Sequence, residues 1–165
     1  MTDADIINGI LDREREGKPP YLTPGDKGGR TSWGISERAH PELWQPGPPS
    51  RQQAYDCYQT VYVAPFAFVT TCAVDDRLRV SLIDFAVQSG VTTAIKALQR
   101  VLDVAEDGDA GQETQTALIH AASRIRHVNN EVLCERMVID AVAVASNHAF
   151  AYNWMERVAL FYWHG

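Results

Sequence analysis

The chain has 165 residues, of which 45% are hydrophobic and 22% charged, the profile of one ordinary globular domain that buries its core without staples. A net charge of −6 with no basic stripe argues against nucleic acid as a partner. It also gives no electrostatic attraction to an anionic polymer, which would have to be held in a groove.

The first segment, MTDADIING, is acidic and lacks the basic and apolar regions of a signal peptide, so synthesis in the cytoplasm is expected. Thr2 or Asp3 caps a helix that runs to about Glu14. At about 100° per residue, Ile6, Ile7, Ile10 and Leu11 form one apolar stripe. Glu14 projects from the middle of that stripe, and Glu16 would project from the other side. A carboxylate on the core-facing side of a helix C-terminus sits where desolvation and the negative helix end both raise its pKa. A carboxyl kept protonated near neutral pH is what a general acid needs. The alternative is a frayed last turn with Glu14 in solvent.

Residues 17–34 are rich in Gly and Pro, so the helix ends and a loop with tight turns follows. Strand-like residues from Arg30 to Ser36 after Gly28-Gly29 predict a small hairpin. Asp26 and Thr31 would then lie close to the end of the first helix. A second carboxylate opposite a protonated Glu is what hydrolysis of a glycosidic bond requires. Asp26 could instead order the turn before Gly28, and Thr31 could either position a water or serve as a β-branched strand residue.

The string ILDRE followed by PGDKGGRTSWGIS resembles the motif of the glycoside hydrolase family 108 muramidases. Pro24, Asp26, Gly28, Gly29, Thr31, Trp33, Gly34, Ile35 and Ser36 match the family's pattern. The chain departs from it between the helix and Pro24, where Arg15 to Tyr21 stand in place of Gly-Gly and an aromatic residue. Anchoring on helix register makes Glu14 the family's acid, and anchoring on the Glu-Gly pair selects Glu16. The helical face favours Glu14.

Residues 37–49 form a proline-dense linker, after which Ser50 caps a helix from Arg51 to about Val63. Tyr58 and Tyr62 on its apolar face could edge a sugar groove or pack in the core. Asp75 or Asp76 starts a helix that is apolar nearly all round between Leu78 and Val87, the pattern of a buried central helix. Asp84 within it is expected to hydrogen-bond a neighbouring helix. Ser89-Gly90 ends it. Thr92 or Thr93 caps the next helix, which runs through Leu102.

The run from Asp84 to Leu118 resembles the C-terminal half of the same muramidases, where a Leu-Gln helix leads through Asp-Gly, a Gly and a Thr into another helix. That half is often labelled a peptidoglycan-binding segment. Glu106, Asp107 and Asp109 lack the ligand spacing of an EF-hand and read as a turn. Asn129 to about Ser146 forms a long helix, and a last one runs from about Phe150 to Tyr162, with Trp154 and Arg157 in structural roles. Cys57, Cys72 and Cys134 are expected to be buried reduced thiols. The five histidines have no zinc-binding pair on one helical face, so neither a metal nor a cofactor is expected. Val138–Ala145, the longest apolar run, is too short to cross a bilayer and is broken by Asp140.

The resemblance implies a mainly α, lysozyme-like helical domain with a small β-hairpin after the first helix. It implies a single domain over 1–165, with the catalytic motif in 1–72 and a helical lobe in 73–165. The implied activity is that of an endolysin-like peptidoglycan hydrolase, cleaving the β-1,4 bond between N-acetylmuramic acid and N-acetylglucosamine. Glu14, Asp26 and Thr31 are the expected catalytic residues, and Tyr21, Trp33, Tyr58 and Tyr62 the expected substrate-binding residues. Peptidoglycan strands are the expected partner of a monomer that reaches the periplasm and cell wall through a phage holin or a secretion system. A lytic transglycosylase, or an inactive peptidoglycan-binding or virion module, are the alternatives.

Overall fold

The computed structural model describes residues 1–14, 29–72, 76–144, 158, 159 and 161. Its Cα packing separates two compact units, 1–64 and 65–165. The division falls eight residues before the one expected after residue 72.

The first unit begins with α1, Asp3–Arg13. Thr2 caps it through a reciprocal box: the Thr2 hydroxyl accepts from the Asp5 N–H, and Asp5 Oδ2 accepts from the Thr2 N–H. Asp3 and Asp5 also place negative charge against the positive end of the helix. The expected stripe is the buried one, with Ile6, Ile7, Ile10 and Leu11 all in the core. Each such burial stabilises by roughly 1.5–3 kcal/mol.

The hairpin consists of β1, Thr31–Ser32, and β2, Ile35–Ser36, paired antiparallel with Thr31 opposite Ser36 and Ser32 opposite Ile35. Strand alternation puts Ser32 and Ile35 inward, and leaves Thr31 and Ser36 half-buried on the other face. A one-turn 3₁₀ helix, Pro41–Trp44, follows.

Ser50 caps α2, Arg51–Cys57, through the Gln53 N–H. The helix expected to continue to Val63 widens instead into a π-helical segment, Tyr58–Val63. There the Ala64 N–H reaches Gln59 O, five residues back, and Pro65, which has no N–H to donate, comes next. Both α2 and the π-helical segment pack on α1. Arg51 donates to Asn8 Oδ1 at 2.8 Å, and Gln59 to Asp3 Oδ2 at 3.2 Å.

The second unit contains α3 (Ala67–Cys72), α4 (Asp76–Ser89), α5 (Val91–Leu102), α6 (Gln112–His120) and α7 (Ile125–Val144). As its all-round apolarity predicts, α4 is central: it packs against α3, α5 and α7, with Leu78, Leu82, Ile83, Phe85 and Ala86 fully buried. Asp84 makes the expected bond, accepting from Arg136 Nη1 on α7 at 2.9 Å. The same guanidinium lies over the Phe85 ring and donates to Gln88, and Gln88 donates on to Asp140.

Several boundaries differ from expectation. Gly90, not Thr92 or Thr93, is the N-cap of α5; its φ of 91° turns the chain in one residue between the two helices. The long helix starts at Ile125 rather than Asn129, because a 3₁₀ turn, Ala122–Arg124, feeds straight into it. Asn129 is buried inside α7 and accepts from the Ser81 hydroxyl at 2.8 Å, so it ties α7 to α4. Of the cysteines only Cys57 is buried; Cys72 is half-buried and Cys134 exposed. The surface of a mid-helix position on α7 accounts for Cys134. Most of the expected last helix, with Trp154 and Arg157, lies outside the described residues, though 158, 159 and 161 are helical. Among the described residues, no helix is long and apolar enough to cross a membrane.

The expected acidic turn between α5 and α6 is built around Gln99. Buried at the end of α5, its amide nitrogen donates to Asp107 Oδ1 (2.7 Å), Asp109 O (2.9 Å) and Thr114 Oγ1 (3.0 Å). Its carbonyl oxygen accepts from the Gly108 N–H at 2.9 Å. This explains the Gln, Asp-Gly and Thr of the motif as one hydrogen-bonded set, and Asp107 is occupied as a turn former.

Candidate active site

Glu14 is the C-cap of α1, half-buried, and its N–H donates to Ile10 O at 3.0 Å. The helix therefore delivers the carboxylate at its end, on the side of the buried stripe. What meets it there is the hairpin turn. Trp33 and Gly34, the two central residues, have φ of 54° and 76°. Positive φ at both is the pattern of a type I′ turn, whose twist matches that of the flanking strands. A Cβ at Gly34 would lie 2.9 Å from Glu14 Cγ and 3.2 Å from Glu14 Cδ. The turn backbone thus lies in contact with the Glu14 side chain.

The third component is Tyr58. Only 1% of it is exposed, and its hydroxyl donates to the Trp33 carbonyl at 3.1 Å. A Cβ added at Gly34 would collide with the same hydroxyl oxygen. The sequence leaves Tyr58 either edging a sugar groove or packing in the core. Its burial leaves no ring face for a pyranose, and its place is beneath the turn.

Tyr62 follows on the π-helical segment, its ring 5.5 Å from that of Tyr58 and half-buried. His40 contacts it edge-on, with Nε2 3.4 Å from the Tyr62 hydroxyl. His40 Nδ1 also faces Glu42 Oε1 at 3.3 Å and the Cys57 sulfur at 3.9 Å. Burial, and secondarily the Glu42 charge, pushes the Cys57 thiol up to about 11, so it stays protonated. Burial likewise raises the Tyr62 phenol. This cluster was not foreseen; His40 and Cys57 stand 17 positions apart, with no local pattern to join them.

At the base of the hairpin, Arg30 and Glu37 form a two-pronged pair at 2.9 and 2.7 Å, and the Arg30 guanidinium stacks over Trp44 at 5.0 Å. The hydrogen bonds from Arg30 hold the Glu37 carboxyl below its ordinary range. This clamp closes the strands on the side away from the Trp33–Gly34 turn.

The structure therefore brings together Glu14, Trp33, Gly34, Tyr58 and Tyr62. Thr31 lies on the half-buried face of β1, two residues before Trp33. Asp26 and Tyr21, and the rival acid Glu16, lie outside the described residues. Among the described residues, no group of three or more His, Cys, Asp and Glu side chains is arranged to hold a metal ion.

The glycosyl hydrolase 108 family model matches residues 11–90, a span that opens in the last turn of α1 and closes at Gly90. No curated protein matches the chain. Chains of solved structures do match, among them SagA of Brucella abortus, 26% identical, with a TM-score of 0.76 over 96% of this chain and 90% of that one. The mainly helical fold with one two-stranded sheet is the lysozyme-like fold expected. Residues 11–90 thus match the glycosyl hydrolase 108 model within a lysozyme-like fold, and the chain is a lysozyme-like glycoside hydrolase of the general peptidoglycan-degrading type.

Proposed function

We propose that the chain cleaves the β-1,4 bond between N-acetylmuramic acid and N-acetylglucosamine, with Glu14 as the general acid. The observation that carries this reading is the contact between the Gly34 backbone and the Glu14 side chain, which ties the carboxylate at the end of α1 to the motif hairpin. Glu14 donates its proton to the leaving glycosidic oxygen. Asp26 acts from the far side of the sugar, with Thr31 orienting the attacking water. A water between two carboxylates requires them to stand roughly 6.5–9.5 Å apart and inverts the anomeric centre. Trp33, at the turn beside Glu14, and the half-buried Tyr62 supply the aromatic edges of the groove. The chain is made in the cytoplasm and acts on the cell wall.

The test is a turbidity assay on permeabilised Gram-negative cells, comparing the wild type with Glu14→Gln and Glu16→Gln. Loss confined to the Glu14 variant, on the order of 10²–10⁴-fold, is expected for removal of a general acid. Loss confined to Glu16→Gln overturns the assignment. Mass spectrometry of the digest separates hydrolysis from transglycosylation, because only the latter leaves anhydromuramic ends. Product anomers read by NMR decide inversion, and retention would defeat the water mechanism.

A further inference from the structure

Trp33 carries an aromatic side chain on a left-handed backbone, φ 54°. That conformation is costly for a bulky residue, and an Asn at the same turn position would adopt it with far less strain. The other non-glycine residue with positive φ among those described, Asp103, sits at the C-cap of α5, where such a backbone is commonplace. A strained aromatic residue persists only where its surroundings over-determine it. At Trp33 two contacts do so. The Tyr58 hydroxyl donates to its carbonyl at 3.1 Å. The next residue, Gly34, meets the Tyr58 hydroxyl on one hand and Glu14 Cγ and Cδ on the other, so no side chain fits there.

One peptide unit, Trp33–Gly34, is therefore gripped by Tyr58 and abuts Glu14. The grip is rigid. Tyr58 is 1% exposed, its ring lies 5.5 Å from that of Tyr62, and it opens the π-helical segment that packs on α1, the helix ending in Glu14. The turn is thereby referenced to the helix that carries the carboxylate.

We propose that Tyr58 is a positioning residue for Glu14: its hydrogen bond fixes the Trp33–Gly34 peptide, and that peptide confines the Glu14 side chain to the rotamer aimed at the glycosidic oxygen. This rests on the reading of Glu14 as the acid. Tyr58 touches no substrate, since its hydroxyl is engaged with the backbone and its ring is covered. Without the hydroxyl the turn relaxes, Glu14 gains rotamers, and fewer of them are near attack. A misplacement of about 1 Å costs on the order of 10²-fold in rate. Because the substrate keeps the rest of its groove and only Trp33 moves with the turn, the loss falls chiefly on kcat and KM changes little.

The experiment measures kcat, KM and the pH profile of kcat on soluble peptidoglycan fragments, well below each variant's melting midpoint. It compares wild type, Tyr58→Phe, Gly34→Ala and Glu14→Gln in the full chain. Tyr58→Phe is expected to lower kcat about ten- to a hundredfold, keep KM within about twofold, and displace the alkaline limb that reports the general acid. Gly34→Ala presses on the same contact from the turn, gives the same signature, and stands in if Tyr58→Phe folds poorly. A folded variant with wild-type kcat and limb overturns the proposal. So does a loss that merely follows the folded fraction while the limb stays put. An inactive Glu14→Gln beside an unchanged Tyr58→Phe defeats the positioning role alone, whereas an active Glu14→Gln defeats the assignment of the acid.

Discussion

Gly34 and Glu14 are in van der Waals contact across the site, a Cβ at position 34 falling 2.9 Å from Glu14 Cγ. The end of α1 and the hairpin turn are thus one structural object, joined from beneath by Tyr58. Motif residues that are neighbours in sequence, Trp33 and Gly34, act here through partners far from them in the chain.

A first expectation concerns stability at that contact. Gly34→Ala forces a Cβ onto a left-handed backbone, at about 1–2 kcal/mol, and into two occupied positions, at about 1–3 kcal/mol more. Gly90 is the natural control, because its φ is 91° but nothing lies within 4 Å of an added Cβ. Differential scanning calorimetry should show Gly34→Ala losing about 5–15 °C and Gly90→Ala clearly less, at roughly 2–4 °C per kcal/mol. Equal losses would mean that the contact is slack.

The buried ion pair of the second unit makes a different prediction. Arg136 and Asp84 have side chains 0% and 2% exposed, and Asp140, also 2% exposed, lies 3.6 Å from the same guanidinium. Arg136→Met takes the guanidinium counter-charge from two buried carboxylates and should cost about 3–5 kcal/mol in urea denaturation. Asp84→Asn keeps an acceptor for Arg136 and leaves Asp140 as counter-charge, so it should cost less. The reverse order would show that the pairing is not what stabilises α4 against α7.

Gln99 organises the α5–α6 connection with four hydrogen bonds from one buried amide. Gln99→Ala takes the acceptor from the Gly108 N–H, at about 1–3 kcal/mol if that group stays buried, and leaves the Asp109 carbonyl with the Thr114 hydroxyl as its remaining donor. Hydrogen exchange should accelerate over residues 103–111 while α4 keeps its protection. Gln99→Glu should be worse than Gln99→Ala at neutral pH, because it sets a carboxylate against Asp107. Unchanged exchange in the loop would contradict this.

The titrating groups define a stability plateau. Hydrogen bonds hold four carboxyls below their ordinary values: Glu37 from Arg30, Glu106 from Arg100, Asp107 from the Asp109 N–H and Gln99, and Asp5 from Thr2. A carboxyl with a lowered folded pKa contributes stability that is present above its unfolded value, about 4, and lost as pH falls through the folded one. Cys57 runs the other way, rising from 9.0 to about 11, so the folded chain holds its proton more tightly. Its contribution is complete below the unfolded value and lost as pH climbs towards the folded one. The thermal midpoint should be flat between about pH 5 and 8 and fall on both sides. At pH 8, iodoacetamide should label exposed Cys134 first and Cys57 last; prompt labelling of Cys57 in folded protein would exclude its burial.

Much of this architecture was legible in the residues. The Ile6, Ile7, Ile10 and Leu11 stripe, the cap at Thr2, the all-round apolarity of α4 and the hairpin at Thr31–Ser36 each follow from spacing over a few positions. The π-helical turn at Tyr58, the early start of α7 and the cap at Gly90 did not. Each depends on where a neighbouring element has already been packed, as Asn129 shows by bonding Ser81 from inside α7 where the helix was expected to begin.

The sequence by itself determined the elements, the family pattern from Pro24 to Ser36 and the candidacy of Glu14, because helix face, turn chemistry and motif are local properties. Only the tertiary structure decided that the Trp33–Gly34 peptide lies between Glu14 and Tyr58, and that Tyr58 belongs beneath the turn. The physical reason is separation: Tyr58 reaches a carbonyl 25 positions away, and no periodicity in a chain encodes which face of one helix will meet which turn.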